Sequence, residues 1–348
     1  MPYGTVNADV IGTSVAGSNL GAGNASIMKN RIINGQMVID QRNAGASVTV
    51  NAVTAFYATD RYRLSGVASA GVYTAQQSTT APTGFVNSLK ITTTTSASPA
   101  AGDSYYIVQN IEGYNTADLG WGTANAKTVT LSFQVYSSLT GTFGGSLSNN
   151  GVTRSYPFTY SIPVANTWTT ISITIAGDTT GTWTTDNSTG IRVYFSLGTG
   201  TTLSGTAGAW AGAQYISATG ATSVVGTNGA TFYITGVQLE VGSSATGFEY
   251  VNYQTSLSNC QRYFEILKAD SSGNTVIAAQ YQASNFWSVW YFKNEKRATS
   301  TITLVGGSWA GVTPTINNGI TNASFNASAV FYVSSTSGTT VLTASAEL

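Results

Sequence analysis

The sequence has no histidine. That absence removes Ser-His-Asp and Cys-His nucleophilic systems, His-bearing zinc sites and imidazole acid–base work. A single cysteine, Cys260, excludes an intrachain disulfide and reads as a small buried residue rather than a reactive thiol. Charge is scarce: 8% of the 348 residues, with Lys+Arg 14 balancing Asp+Glu 14. A surface for nucleic acid or an anionic membrane needs clustered basic charge, so neither partner is expected. No apolar run approaches the roughly 18–20 residues that span a bilayer, so membrane insertion is not expected either. The opening Met1-Pro2-Tyr3-Gly4 lacks the cationic and apolar regions of a signal peptide. Gly-rich stretches have no Lys-Ser/Thr after them and open no helix, so a phosphate cradle is not expected, and no cofactor is required.

Thr, Ser, Asn and Gly must therefore keep the surface wet. A β protein of that composition stays soluble by hiding its apolar patches, often against identical subunits, and an oligomer is expected. Residues 1–29 are small and polar with little apolar periodicity and read as an attachment arm. From 30 to 254 the signal is period-two alternation. Val129, Leu131, Phe133 and Val135 share one face; Ile191, Val193, Phe195 and Leu197 share another, with Arg192, Tyr194 and Ser196 opposite; Ile171, Ile173 and Ile175 make a third row. Phe232 and Ile234 alternate until the parity changes at Gly236, so that Val237, Leu239 and Val241 continue the apolar face, which predicts a bulge.

Thr runs such as Ile91-Thr-Thr-Thr-Thr suit strands. The predicted fold is all-β: a jelly-roll β-sandwich, then a smaller C-terminal β domain over 255–348. That domain opens with a short helix, in which Leu257, Cys260 and Phe264 share a face behind a Ser256 cap. Further strands are predicted at 276–282, 286–292, 300–305 and 329–334.

Three stretches carry a resemblance: Asn30-Arg-Ile-Ile-Asn-Gly-Gln-Met-Val-Ile-Asp-Gln-Arg-Asn, Thr235-Gly-Val-Gln-Leu-Glu-Val-Gly-Ser, and Cys260-Gln-Arg-Tyr-Phe. In this order, over roughly residues 30–265, they resemble a family of phage tail-fibre and minor virion proteins. The middle stretch is also similar to the last strand of carbohydrate-binding, galactose-binding-like jelly rolls. The segment Phe292-Lys-Asn-Glu-Lys-Arg-Ala-Thr departs from the family's less charged, Pro-containing version. The resemblance implies a fibre, commonly a homotrimer, whose distal part contacts the host. A virion component folds in the host cytoplasm and leaves by lysis, which reconciles an extracellular-looking composition with the missing signal peptide. The expected function is a tail fibre attached to other virion proteins through its arm and to host surface polysaccharide. The alternative is a head fibre or capsid decoration with an architectural role. A polysaccharide depolymerase is a third class.

Aromatics on loops stack on sugar faces while Asn, Thr and Asp bond the hydroxyls. Trp183, Trp210 and Tyr215 lie in Gly-rich connections, and the run from Gly198 to Gly229 is long for a sandwich. Asp178 and Asp186 flank Trp183 and are read as sharing a sugar pocket with it, as the carboxylates of a glycosidase, or as turn formers. Calcium is an option for the same oxygens, although no Asp-x-Asp-x-Asp-Gly spacing occurs. Phe286, Trp287, Trp290, Tyr291 and Phe292 make both faces of one strand aromatic; Trp287, Trp290 and Tyr291 are the candidate oligomer contacts. Asp60 with Arg61 and Arg63, and Asp40 with Arg42, read as surface or inter-subunit ion pairs.

Overall fold

Alternating apolar and polar side chains can be buried only if two sheets share their apolar faces, and the chain adopts that arrangement. The computed structural model describes residues 28–67, 70–268, 274–275, 279–282, 285–306, 308–329, 331–334 and 340–348. The arm expected over 1–29 lies, apart from Met28 and Lys29, outside the described residues.

Strands are numbered in chain order. The first six-stranded sheet runs β1 (Val48–Val50), β4 (Val72–Ser78), β5 (Ser88–Thr95), β14 (Thr231–Val241), β7 (Val129–Ser137), β10 (Thr169–Ile175). The second runs β2 (Phe56–Thr59), β3 (Tyr62–Ser65), β6 (Ser104–Glu112), β11 (Thr189–Thr199), β8 (Gly141–Asn149), β9 (Ser155–Ile162). All pairings within both sheets are antiparallel, and the fold is a jelly-roll sandwich. The predicted rows face the shared core: Val129, Leu131, Phe133 and Val135, and Ile191, Val193, Phe195 and Leu197, are each at most 1% exposed. Phe133 of the first sheet meets Phe195 and Tyr160 of the second edge-on, both with ring centroids at 5.1 Å. Burying each such ring contributes about 1.5–3 kcal/mol, and the edge-to-face geometry adds about 0.5–1.5 kcal/mol per pair.

The parity change in β14 is a bulge, as expected: its register against β7 shifts between Thr235 and Gln238, and Gly236 sits at φ +62°. A Cβ there would come within 2.7 Å of the Phe85 ring. Gly145 is a second requirement. It stands opposite Phe195 in β8, and a Cβ would meet Tyr194 O at 2.2 Å and the Phe158 ring at 2.5 Å.

A helix, α1 (Tyr253–Gln261), follows, capped by Asn252, whose side chain accepts from Thr255 N at 2.8 Å. The cap is therefore Asn252 and not Ser256, which is buried inside the helix. Asn252 holds the extended backbone that a capping residue needs. Phe264 has already left the helix for β15 (Phe264–Lys268), so the buried helical positions are Ser256, Cys260 and Gln261. The described strands after the helix form three small sheets. These are β15 with β24 (Thr340–Ser345) and β19 (Thr301–Leu304); β16 (Asn274–Thr275) with β23 (Phe331–Ser334) and β20 (Ser308–Gly311); and β17 (Ala279–Gln282), β18 (Asn285–Tyr291), β22 (Asn322–Ala327) and β21 (Thr315–Asn318), in that order. Their core holds Trp290, Phe325, Phe331, Val333 and Leu342. Trp290 is 8% exposed and packs edge-on against Phe292 at 5.2 Å, so the expectation that it contacts another subunit is corrected: the Phe286, Trp290, Phe292 face fills the core. Trp287 and Tyr291, one residue out of phase, face outward at 39% and 73% exposure.

Gly236→Ala is expected to lower the unfolding free energy by about 2 kcal/mol or more, since it combines a left-handed backbone with the Phe85 clash. Urea denaturation of parent and variant measures this, and an unchanged midpoint would show that the bulge tolerates a side chain.

Candidate functional site

Trp183 and Trp210 come together on the structure, joined by Trp121, which sequence reasoning did not single out. The three rings meet edge-on with centroids 4.7 Å (Trp121–Trp183), 5.3 Å (Trp121–Trp210) and 5.4 Å (Trp183–Trp210) apart, and Tyr156 adds a fourth ring against Trp210 at 5.3 Å. Each indole N–H donates to a loop carbonyl: Trp121 to Lys127 at 2.8 Å, Trp183 to Thr180 at 3.1 Å and Trp210 to Ala176 at 2.7 Å. The cluster thus clasps three loops at one end of the sandwich.

Asp178 lies beside this cluster but is only 2% exposed. Arg154 grips both of its oxygens, Nε to Oδ2 at 2.7 Å and Nη2 to Oδ1 at 2.8 Å, and Thr180 donates to Oδ1 through its N–H and hydroxyl. Burial pushes the Asp178 carboxyl up, but the bonds from Arg154 and Thr180 outweigh it and hold the group below the ordinary range. A carboxylate so held is a poor proton donor at neutral pH. Asp186 meets different partners. It is exposed, its Oδ1 closes a turn onto Ser188 N at 2.8 Å, and its carbonyl accepts from Tyr114 N at 2.9 Å. Asp186 is thus a turn former, and Asp178 is an ion-paired loop anchor. Tyr215, half-buried, is fixed by its backbone, its N–H donating to Ser155 Oγ and its carbonyl accepting from Ser146 Oγ. Among the described residues, no three Cys, Asp or Glu side chains are grouped to hold a metal ion.

The long run after Gly198 folds back over the outer face of the second sheet. Its short parallel pair, β12 (Ser204–Gly205) with β13 (Ser217–Ala218), sets Ile216 against Val108 and Tyr194. Cross-strand register puts Arg63, Val108, Tyr194 and Ser146 in one row of that face, and Asn110, Arg192 and Ser148 in the next. Next to this cover, Arg63, Tyr106 and Arg192 stay half-buried. Tyr106 stands edge-on to Tyr194 at 5.2 Å, Arg63 Nη2 donates to Tyr106 Oη at 3.2 Å, and Arg192 Nη2 donates to Asn150 O at 3.0 Å. The Nε atoms of Arg63 and Arg192 and Oδ1 of Asn110 are buried without a hydrogen-bond partner among the described residues. Neither guanidinium lies within ion-pairing distance of a carboxylate among the described residues. Sequence parity already placed Arg192 and Tyr194 on this face; their meeting with Arg63 and Tyr106 depends on strand order, which alternation does not encode.

The three resembling stretches converge elsewhere, on the junction between sandwich and C-terminal sheets. The Asn30 side chain donates to Val237 O at 3.0 Å and accepts from Leu239 N at 3.1 Å. Gln41 reaches Phe264 O at 2.9 Å, and Arg42 and Arg61 lie 3.5 Å over the rings of Phe264 and Tyr263. Arg262 clamps Glu112 through two bonds, at 2.6 and 3.0 Å, and Tyr263 Oη donates to the same carboxylate at 2.7 Å. Although burial raises the Glu112 carboxyl, these bonds bring it below its usual value. A cleft of about 950 Å³ opens here, lined by Arg31, Gln36, Tyr114, Glu249 and Asn294 among others.

The expected surface ion pairs are corrected by this junction. Asp60 is fully buried and Arg61 3% exposed, and the partners are internal: Arg42 bridges Asp60 at 3.1 Å and Glu347 at 2.9 Å, and Arg61 pairs with the same Glu347. Asp40 does not pair with Arg42; it caps a turn, accepting from Asn43 N at 2.9 Å and Gly45 N at 2.7 Å.

No family model matches the sequence, and no curated protein matches it at a significant level. Several solved structures are similar in part. The enzymatically active domain of bacteriophage CBA120 tailspike protein 4 aligns with 12% identity over 62% of this chain and 22% of its own, at a TM-score of 0.30. A family 11 carbohydrate-binding module from Clostridium thermocellum, solved with a mixed-linked β-1,3-1,4 tetrasaccharide, aligns with 11% identity over 59% of this chain and 100% of its own, at 0.30. A CBM4 structure aligns with 17% identity over 60% and 98%, at 0.29.

Asp178→Asn is expected to destabilise the fold by about 2–4 kcal/mol, because it leaves the Arg154 guanidinium without its carboxylate, whereas Asp186→Asn leaves the urea midpoint unchanged. Equal effects of the two would contradict the division drawn here. At the junction, burial pushes the Asp60 carboxyl from 3.8 to about 6 against the opposing pull of Arg42 and Gln41. A raised carboxyl gives stability that is complete below about pH 4 and lost as pH rises through 6. Asp60→Asn, which stays neutral, should therefore gain on the parent by up to about 3 kcal/mol between pH 4 and pH 7 in paired urea titrations. A pH-independent difference would show that Asp60 is not desolvated.

Proposed function

We propose that the chain is a non-enzymatic structural protein of a phage particle, a tail fibre that assembles as a homotrimer, attaches through its N-terminal arm and binds host surface glycan. The observation that carries the glycan reading is the outer face of the second sheet. Tyr106 offers a ring there beside two half-buried guanidiniums that have no carboxylate partner among the described residues. A flat ring packs on the C–H face of a sugar, and paired guanidiniums suit a glycan that carries carboxylates. The resemblance of three stretches to phage fibre proteins supports the virion reading, and the bound Asp178 carboxylate argues against a glycosidase built on Asp178 and Asp186. Trp183, Trp210 and Tyr215 then act by holding the loops that border the sandwich.

A purely architectural head fibre or decoration protein is the second reading. What favours it is that the resembling stretches converge on an internal junction rather than on a ligand face.

Binding of the purified protein to intact host cells separates the two. Saturable binding is expected, competed by the cells' surface polysaccharide and weakened about tenfold by Tyr106→Ala or Arg63→Ala. A well-folded oligomer that does not bind, or binding indifferent to both variants, would overturn the assignment to this face.

A further inference from the structure

The outward face of the sheet β17-β18-β22-β21 sets exposed rings among amide and hydroxyl side chains. Its register aligns Trp287 with Asn326 and Thr315, Val289 with Ser324 and Asn317, and Tyr291 with Asn322. Residues directly opposite in an antiparallel pair share a face, with Cβ atoms about 5 Å apart. The residues between them, Trp290, Ala323 and Phe325, point the other way into the core. An aromatic stripe therefore runs along β18, with Trp287 39% and Tyr291 73% exposed, and amide and hydroxyl groups run beside it along β22 and β21. The two rings, four residues apart, are separated by about 13 Å along the strand. None of the eight residues in these rows is charged.

We propose that this face is a second glycan-binding platform, taking an uncharged polysaccharide. The proposal rests on the reading that the chain binds glycans. The polar half of the face decides its occupant. Against the dry, apolar core of a second subunit, Asn317, Asn322, Ser324, Asn326 and Thr315 would lose water without gaining partners. Sugar hydroxyls both donate and accept, so each of those groups finds a bond, while the C–H faces of the same sugars cover Trp287 and Tyr291. The absence of charge sets this platform apart from the Arg63 and Arg192 face, where an acidic glycan fits.

The test is affinity electrophoresis of the purified full chain in native gels. The gels contain neutral polysaccharides (galactomannan, xyloglucan, mixed-linkage β-glucan, dextran) or acidic ones (polygalacturonate, alginate), and solution mass is measured alongside. At least one neutral polysaccharide should retard the protein. The double variant Trp287→Ala/Tyr291→Ala should weaken that retardation at least about tenfold, Asn317→Ala/Asn326→Ala should weaken it less, and Arg63→Ala/Arg192→Ala should leave it unchanged. Matching thermal unfolding curves show that the variants are folded, and the amide pair carries the test if the aromatic variant is not. Three results overturn the proposal: retardation by none of the neutral polysaccharides, retardation indifferent to the aromatic and amide variants, or dissociation of an oligomer by Trp287→Ala/Tyr291→Ala. Retardation by the acidic polysaccharides alone, needing Arg63 and ignoring Trp287, removes this platform and keeps the glycan reading; no retardation by any polysaccharide removes the glycan reading as well.

Discussion

The structure depends on where its few charges go. Asp60, Arg61, Glu112, Asp178, Glu240, Glu265 and Lys296 are each no more than 3% exposed. Taking a charge out of water costs several kcal/mol, so such groups persist only where geometry supplies partners. Each has them: Glu112 has Arg262 and Tyr263, Asp178 has Arg154, Lys296 pairs with Glu265 at 2.8 Å, and Glu240 accepts from Thr246 and Gln238. These pairs add little net stability over apolar replacements, but breaking one is expensive, so each admits one placement of the segments it joins. Most lie where the C-terminal sheets meet the sandwich. Much of the charge in this chain serves as internal fastening, and a few exposed charges such as Asp118 and Lys127 remain among the Thr, Ser, Asn and Gly of the surface.

That division explains how two faces come to be open. The outer face of the second sheet is half covered by the long connection through Ile216, and the cover stops at Tyr106, Arg63 and Arg192. Among the described residues their guanidiniums remain without carboxylates, while the junction has absorbed Asp60, Glu112, Glu265 and Glu347 into pairs of its own. The neutral face of β18 follows from the opposite circumstance: aromatic residues on both sides of one strand cannot all reach a core, so one set must look outward.

Legibility in the sequence followed the length of the alternation. Rows of four apolar residues, such as Ile191 to Leu197, and the parity change at Gly236 were readable because period two leaves no other way to bury them. The C-terminal strands Thr315–Asn318 and Asn322–Ala327 were not, since Asn and Ala disfavour strands, and what holds them is pairing: Asn322–Ala327 with β18, and Thr315–Asn318 with Asn322–Ala327. Burial of Asp60 and Arg61 was hidden for a different reason. Adjacent opposite charges look like a surface pair until Glu347, 286 residues from Arg61, supplies the other half of the network. The Trp183 and Trp210 cluster was half legible: both rings stood out on loops, but Trp121, which joins them, comes from a distant connection. The charged segment near Lys293, which departs from the family pattern, turns out to deliver Lys296 and Arg297 to the junction, where Arg297 Nη2 donates to Glu347 O at 2.7 Å.

The two open faces also differ in how far they act. On the function proposed above, guanidiniums at Arg63 and Arg192 would attract an acidic glycan over about 8–10 Å at physiological salt and so bias approach and orientation before contact. A neutral stripe of rings and amides has no such reach and contributes only once sugar is seated, through area and hydrogen bonds. Each is shallow and expected to be weak alone. Several copies of a chain on one particle turn weak contacts into firm attachment, because after the first has formed the others act at the effective concentration set by the particle's geometry. A protein of that kind does not need a deep pocket. It needs rigid, wettable, nearly uncharged sheets that present the same few groups in every copy, and fastening the scarce charges inside the fold produces such sheets.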